Sequence, residues 1–239
     1  MSRRRAEDLI RSGRVAIDGK KAVLGDRTDP AKAVVTVDGT PLPLRPELRY
    51  VLVNKPAGVV STVSDPQGRP TIVDLVGAAE RLYPVGRLDI DSTGLLLLTN
   101  DGTLTNLVTH PRYDVEKTYV ALVNGNPGSA ALRRLEAGVE LDDGTARARH
   151  ARLATQHRGR SLVEIVMTEG RKREVRRMLA EVGHPVVELA RIAIGPVRDG
   201  TLEPGTWREL HVDEIRSLYA AAGATWEDAP TVIDEAASE

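Results

Sequence analysis

The sequence predicts an α+β protein, a mixed and mainly antiparallel sheet flanked by helices and preceded by a small basic module. Three observations predict it. Strand-like segments recur, either alternating apolar and polar residues, as in residues 161–168, or running unbroken, as in Leu95, Leu96, Leu97 and Leu98. Between them stand segments with apolar residues at helical spacing, above all Val175, Met178, Leu179 and Val182, with Gly183 behind. Pro41, Pro43 and Pro46 punctuate a stretch that cannot be helical and so mark a boundary. Residues 1–47 are read as a small module with its linker, 48–223 as the main domain, and 224–239 as an acidic, disordered tail.

A chain of 239 residues with 41% hydrophobic content can bury a core of useful size. It has no cysteine, hence no disulfide framework and no thiolate metal site. No segment approaches transmembrane length and the basic N-terminus lacks the apolar stretch of a signal peptide, so a soluble cytoplasmic protein is expected. The net charge of −1 argues by itself against nucleic-acid binding. Its distribution does not: residues 224–239 hold five of the 34 acids and no base, leaving 33 basic against 29 acidic groups, a net of +4, in residues 1–223.

In chain order, residues 3–12 read as a short helix with Ala6, Leu9 and Ile10 on one face and Gly13 ending it. Short strands follow, Val15-Ala16-Ile17 into Asp18-Gly19 and Val34-Val35-Thr36-Val37 into Asp38-Gly39. Arg3, Arg4, Arg5, Arg11, Arg14, Lys20 and Lys21 crowd this unit and make a natural footprint for a phosphate backbone, although a solvated charged face would look the same. Tyr50-Val51-Leu52-Val53 is a strand running into Asn54-Lys55-Pro56-Ala57-Gly58; Lys55 at its end is either solvated or an RNA contact. Residues 72–82 read as helical.

Gly86-Arg87-Leu88-Asp89-Ile90-Asp91-Ser92-Thr93-Gly94 then places two carboxylates and an arginine in a Gly-bounded loop ahead of the strand Leu95-Leu96-Leu97-Leu98. A loop braced by a buried strand can hold a charge rigidly, and a cation beside a carboxylate keeps it ionised where desolvation would protonate it. Spacing alone also allows a plain turn, and it does not choose between Asp89 and Asp91. Glu116 to Val123 is a strand by its β-branched and aromatic content, with Lys117 and Tyr119 in a Lys-x-Tyr unit. A helix near residues 129–136 and a basic hairpin around residues 147–160 follow; His150, His157 and Asp142 lack metal-ligand spacing. Arg171, Lys172, Arg173, Arg176 and Arg177 then crowd a helix start, which the helix dipole disfavours unless an anion lies near. Residues 191–197 and 202–210 read as closing strands and scaffold.

Gly-Arg-Leu-Asp followed by Asp-Ser-Thr-Gly-Leu-Leu-Leu-Leu-Thr-Asn-Asp-Gly resembles the active-site motif of the RsuA/RluB-type ribosomal pseudouridine synthases, and Asn-Lys-Pro-x-Gly, Lys-x-Tyr and the arginine-rich helix extend the resemblance over most of the chain. The resemblance implies that Asp89 is the catalytic carboxylate, Arg176 its ion partner and Tyr119 the surface on which the target base stacks. Lys172 and Glu174 stand where the family has Asn and Gln, so those contacts do not carry over. Arg87, Arg171 and Arg173 join the expected RNA contacts. Ser-Arg-Arg, Leu-Ile-Arg-Ser-Gly-Arg-Val and Asp-Gly resemble the small αL-type RNA-binding module shared by a small-subunit ribosomal protein and many RNA-modifying enzymes, without its additional first helix. The implied reaction isomerises a uridine in ribosomal RNA to pseudouridine, with no cofactor or metal, in a monomer. The wording of residues 64–71 resembles the large-subunit branch. The alternative is a non-catalytic ribosomal RNA-binding protein of ribosome assembly or translation control.

Overall fold

The computed structural model describes residues 3–28, 33–42, 48–78 and 81–225. Pro43 and Pro46 of the expected linker and residues 226–239 of the expected tail lie outside the described residues. The chain divides into two compact units, the second beginning at Leu48. In the first, helix α1 (Arg3–Arg11) and strands β1 (Val15–Ile17), β2 (Lys20–Lys21), β3 (Val35–Val37) and β4 (Thr40–Pro41) form a sheet of order β2-β1-β3-β4. Both Asp-Gly pairs carry positive φ at each residue, 49° and 77° at Asp18-Gly19 and 50° and 79° at Asp38-Gly39. That is the tight hairpin turn such pairs favour. Leu9, Val15 and Ala22 are its small core.

The second unit holds β5 (Tyr50–Lys55), α2 (Ile72–Val76), β6 (Tyr83–Pro84), β7 (Thr93–Thr99), α3 (Gly102–Thr109), β8 (Lys117–Asn124), α4 (Ser129–Ala137), the β9 (Val139–Leu141) and β10 (Gly144–Ala146) pair, β11 (His150–His157), β12 (Arg160–Met167), α5 (Glu174–Glu181), β13 (Val186–Ile194), β14 (Val197–Arg198), β15 (Trp207–Glu209) and α6 (Val212–Ala221). Its main sheet runs β11-β12-β8-β13-β7-β5-β15, with β14 on β13 and β6 on β7. Every strand pairing in it is antiparallel except β13 with β7, so the mixed, mainly antiparallel expectation holds.

The unbroken run Leu95 to Leu98 is buried on both faces. Leu96 and Leu98 pack with Val51, Val53, Met178 and Leu179 on one side, while Leu95 and Leu97 pack with Leu52, Leu104, Ile215 and Leu218 on the other. Helices α2, α4 and α5 cover the first face and α3 and α6 the second, which is why β5 and β7 carry no polar alternation. The helix expected over residues 72–82 is only α2. Gly77 adopts φ 60° as its C-cap and stops it, and Tyr83 and Pro84 pair with β7 instead. The β9–β10 pair and α6 are elements beyond those the sequence reading gives.

The motif's last acid, Asp101, is a structural post. Its carboxylate caps α3 by accepting from the backbone of Thr103 and Leu104 and also accepts from the hydroxyls of Tyr50 (2.9 Å) and Tyr219 (2.6 Å). Burial and this neighbouring charge hold the Tyr50 hydroxyl well above the usual phenol range. Asp101→Ala removes a cap and takes from two buried hydroxyls the carboxylate they share. It is expected to cost about 2–4 kcal/mol of unfolding free energy, read by urea denaturation.

Candidate active site

A cavity of about 830 Å³ opens at one end of the main sheet, within the size range of ligand pockets. Several stretches of chain build it: the segment 60–69 lines one part, the loop ahead of β7 brings Arg87, Asp89 and Ser92, the start of β8 brings Lys117 and Tyr119, β12 ends in Met167, and β13 brings Leu189 and Arg191. The segment 169–175 closes one side. Sheet register explains the shared lining. Tyr119 stands opposite Ile165 on one side and Arg191 on the other, and Lys117 lies two residues along the same strand, hence on the same face.

Asp89 lines the cavity with its side chain 32% exposed. Residues 89–92 form a turn closed by the Ser92 amide on the Asp89 carbonyl, so Asp89 and Asp91 do not share a face as they would in an extended segment. Asp91 turns to the arginines. Arg173 grips it with two hydrogen bonds of 3.1 and 3.0 Å, and Arg176 reaches its carboxylate at 3.4 Å. These cations, Arg173 first, hold the Asp91 carboxyl below the usual carboxylate range.

The expected ion pair between Asp89 and Arg176 is therefore corrected. Arg176, 10% exposed, donates to the Asp91 carbonyl and the Ser92 hydroxyl as well as pairing with Asp91; among the described residues the cation in ion-pair reach of Asp89 is Arg173, at 3.9 Å. The physical reason is the turn, which swings the second carboxylate toward α5. The anions that relieve the cationic start of α5 are the chain's own: Asp91 for Arg173 and Arg176, Asp143 for Arg177, and Glu169 for Arg171.

Two expected RNA contacts are also corrected. Lys55 has no exposed surface: its ammonium donates to the carbonyls of Pro56 (2.9 Å) and Ser92 (2.7 Å), and burial pushes it down to about 8. It ties β5 to the Asp89 loop. A lysine at a strand end looks solvated in a sequence, and here the loop folds over it. Arg171 is a bracket, bonded to Glu169 and to the carbonyls of Gly144 and Thr145, so it joins the β9–β10 pair to the start of α5. Arg87 is exposed at the cavity edge, and Arg173 remains partly exposed while it holds Asp91.

In the N-terminal unit Arg4, Arg5 and Lys20 are exposed, Arg11 pairs with Glu7 and Asp8 along α1, and Arg14 pairs with Asp38. Arg3 begins α1. Among the described residues no group of His, Asp and Glu could hold a metal ion, and no helix is long and apolar enough to cross a membrane.

Comparisons with known proteins identify the family. Residues 49–181 match the model of the RNA pseudouridylate synthase family, more than half of the chain and including Asp89 and Tyr119. The chain belongs to that family. It is 44% identical to an uncharacterised RNA pseudouridine synthase of Aquifex aeolicus over 93% of this chain and 90% of that one. It is 40% identical to the ribosomal large subunit pseudouridine synthase B of Bacillus subtilis, over 92% and 91%. A crystal structure of a pseudouridylate synthase superposes with a TM-score of 0.65 at 31% identity, covering 91% of this chain and 94% of that one. The chain is accordingly a pseudouridine synthase acting on RNA, and the reading as a non-catalytic binder falls.

Arg191 reads as part of a closing strand, and only the β8–β13 register puts it opposite Tyr119.

Proposed function

We propose that the chain isomerises one uridine of large-subunit ribosomal RNA, with Asp89 as the catalytic carboxylate. The observation that carries this is the placement of Asp89 on the cavity wall that Tyr119 shares, while Asp91 is clamped by two arginines. Support for the large subunit is the name of the Bacillus subtilis relative, a ribosomal large subunit pseudouridine synthase B. The glycosidic bond of the extruded uridine breaks, the uracil turns in the cavity, and its fifth ring carbon is rejoined to the same ribose carbon. Arg173 and Arg176 act as positioning residues that fix the Asp89–Ser92 turn, and Arg87 at the edge steadies the backbone of the extruded nucleotide. Lys20 and the arginines of the N-terminal unit bind RNA phosphate. The enzyme works as a cytoplasmic monomer. Mapping pseudouridines in ribosomal RNA from cells with and without the protein tests the substrate: one large-subunit position should lose its modification. Loss confined to small-subunit or transfer RNA would contradict the assignment.

Tyr119 lies against this cavity with little exposure. Its ring face should carry about 1–3 kcal/mol of base stacking. Tyr119→Phe is then expected to keep substantial activity and Tyr119→Ala to lose most of it, measured as single-turnover rates with melting temperatures recorded alongside. Equal loss in both would assign the role to the hydroxyl.

Deleting residues 1–47 should weaken RNA binding and flatten its salt dependence while the second unit stays folded. Each phosphate contact adds about 0.7–0.9 to the slope of log affinity against log salt, so loss of even two or three is measurable in a salt titration. Arg14, paired with Asp38, contributes less than the exposed Arg4 and Lys20.

A further inference from the structure

Two buried cations line the active-site cavity with no carboxylate in ion-pair reach among the described residues. Lys117 is 9% exposed and Arg191 is 4% exposed, and both line the cavity. Arg191 donates from Nε to the carbonyl of Leu95 at 2.7 Å, but its Nη2 is buried with no hydrogen-bond partner among the described residues. Among the described residues the Lys117 ammonium reaches only the Thr168 carbonyl, at 3.4 Å, beyond the usual length of a strong hydrogen bond. Burial and the like charge of Arg191 push Lys117 down to about 8, with Asp114 acting the other way. Stripping two cations of water and setting them side by side is costly unless something else is to occupy the space before them. The scaffold fixes their position strongly. Arg191 sits where β13 runs parallel to β7, opposite Gly94, and that glycine lets the two backbones meet.

We infer that Lys117 and Arg191 form a cationic subsite for the uracil ring, taking one of its carbonyl oxygens and holding the negative charge the ring acquires on detachment. This rests on the pseudouridine synthase reading of the site and deepens it. When the bond between the ribose carbon and N1 breaks, its electron pair stays with the uracil, whose conjugation spreads the charge onto the carbonyl oxygens. The ribose carbon is received by Asp89. On reattachment the ring's fifth carbon supplies the pair for the new bond as the ribose carbon leaves Asp89, whose carboxylate keeps the pair of the bond that breaks; the fifth carbon then loses its proton while N1 takes one up, so charge and atoms balance. A desolvated pair of donors placed beforehand stabilises that anion more than the neutral ring, and so accelerates detachment rather than only tightening binding. The stacking face of Tyr119, directly across from Arg191, holds the ring over the two cations.

Barbiturate is a pyrimidine ring that is anionic at neutral pH, and uracil is its neutral counterpart. The wild-type protein at pH 7 should bind barbiturate at least tenfold more tightly than uracil, by calorimetry or ligand-observed NMR. Lys117→Met and Arg191→Met should each erase most of that preference, and Lys117→Arg should restore part of it. With ribosomal RNA, single-turnover pseudouridine formation should fall at least tenfold in both Met variants while RNA affinity stays within about twofold. Melting temperatures identify any variant that fails to fold, and Lys117→Gln then serves in place of Lys117→Met. No preference for barbiturate in the wild type, or an undiminished preference in the variants, overturns the subsite. So does a loss of RNA affinity with an unchanged single-turnover rate, which would make these cations phosphate contacts. If the wild type forms no pseudouridine on ribosomal RNA yet the barbiturate preference depends on both residues, the substrate assignment fails and the subsite stands.

Discussion

Asp89→Asn is expected to abolish pseudouridine formation while RNA binding survives or improves. The substitution keeps shape and hydrogen bonding but removes the charge, and with it the group that receives the ribose carbon. Removing an anion from an RNA groove also relieves repulsion with phosphate. Asp91→Asn is the control two residues away. Asp91 is held by Arg173 and Arg176 and turns away from the cavity wall that Asp89 joins, so its loss acts through the turn. Measurable turnover should remain, with the main effect on stability, partly offset because the pair is half-exposed and screened by solvent. Single-turnover rates and filter-binding affinities on the two folded variants separate these outcomes. Wild-type-like rates in Asp89→Asn with loss in Asp91→Asn would exchange the two roles.

Gly94→Ala should be the most disruptive change that touches no charged group. A Cβ at residue 94 would lie 2.2 Å from the Arg191 carbonyl oxygen and 2.6 Å from its nitrogen, both backbone atoms that cannot swing aside. The φ of 101° adds strain that an L-residue tolerates poorly. Forced overpacking and an unfavourable backbone conformation together cost roughly 2–5 kcal/mol. The contact is also the parallel join of β7 and β13, so the Asp89 loop and Arg191 would move apart. Loss of activity beyond that explained by the unfolded fraction, measured by urea denaturation beside single-turnover rates, is the expected result. A variant of wild-type stability would contradict the close approach.

These residues also show where a sequence is readable and where it is not. The double-faced burial of β7 could be read from Leu95 to Leu98 because four consecutive apolar side chains fit only a strand covered on both sides or a buried helix, and the flanking Gly and Asn-Asp-Gly choose the strand. The hairpins at Asp18-Gly19 and Asp38-Gly39 were legible for an equally local reason. The partner of Asp89 was not, because it depends on the turn at residues 89–92 and on which arginine at the start of α5 that turn meets. Lys55 misled for the converse reason: nothing local to a strand-end lysine says that a loop 37 residues on will cover it and accept its hydrogen bond. Arg191 needed the register of two strands about seventy residues apart in the chain. Local chemistry is written in local sequence, while pairing across the sheet emerges only from the whole chain's packing.

The most direct test of the account is release of tritium from ribosomal RNA carrying uridine labelled at its fifth ring carbon, since only rejoining the base through that carbon expels the label. Purified wild-type protein should release one tritium per pseudouridine formed, and folded Asp89→Asn should release none on the same large-subunit RNA. Undiminished release from Asp89→Asn would contradict the central claim, and so would silence of the wild type on every ribosomal substrate.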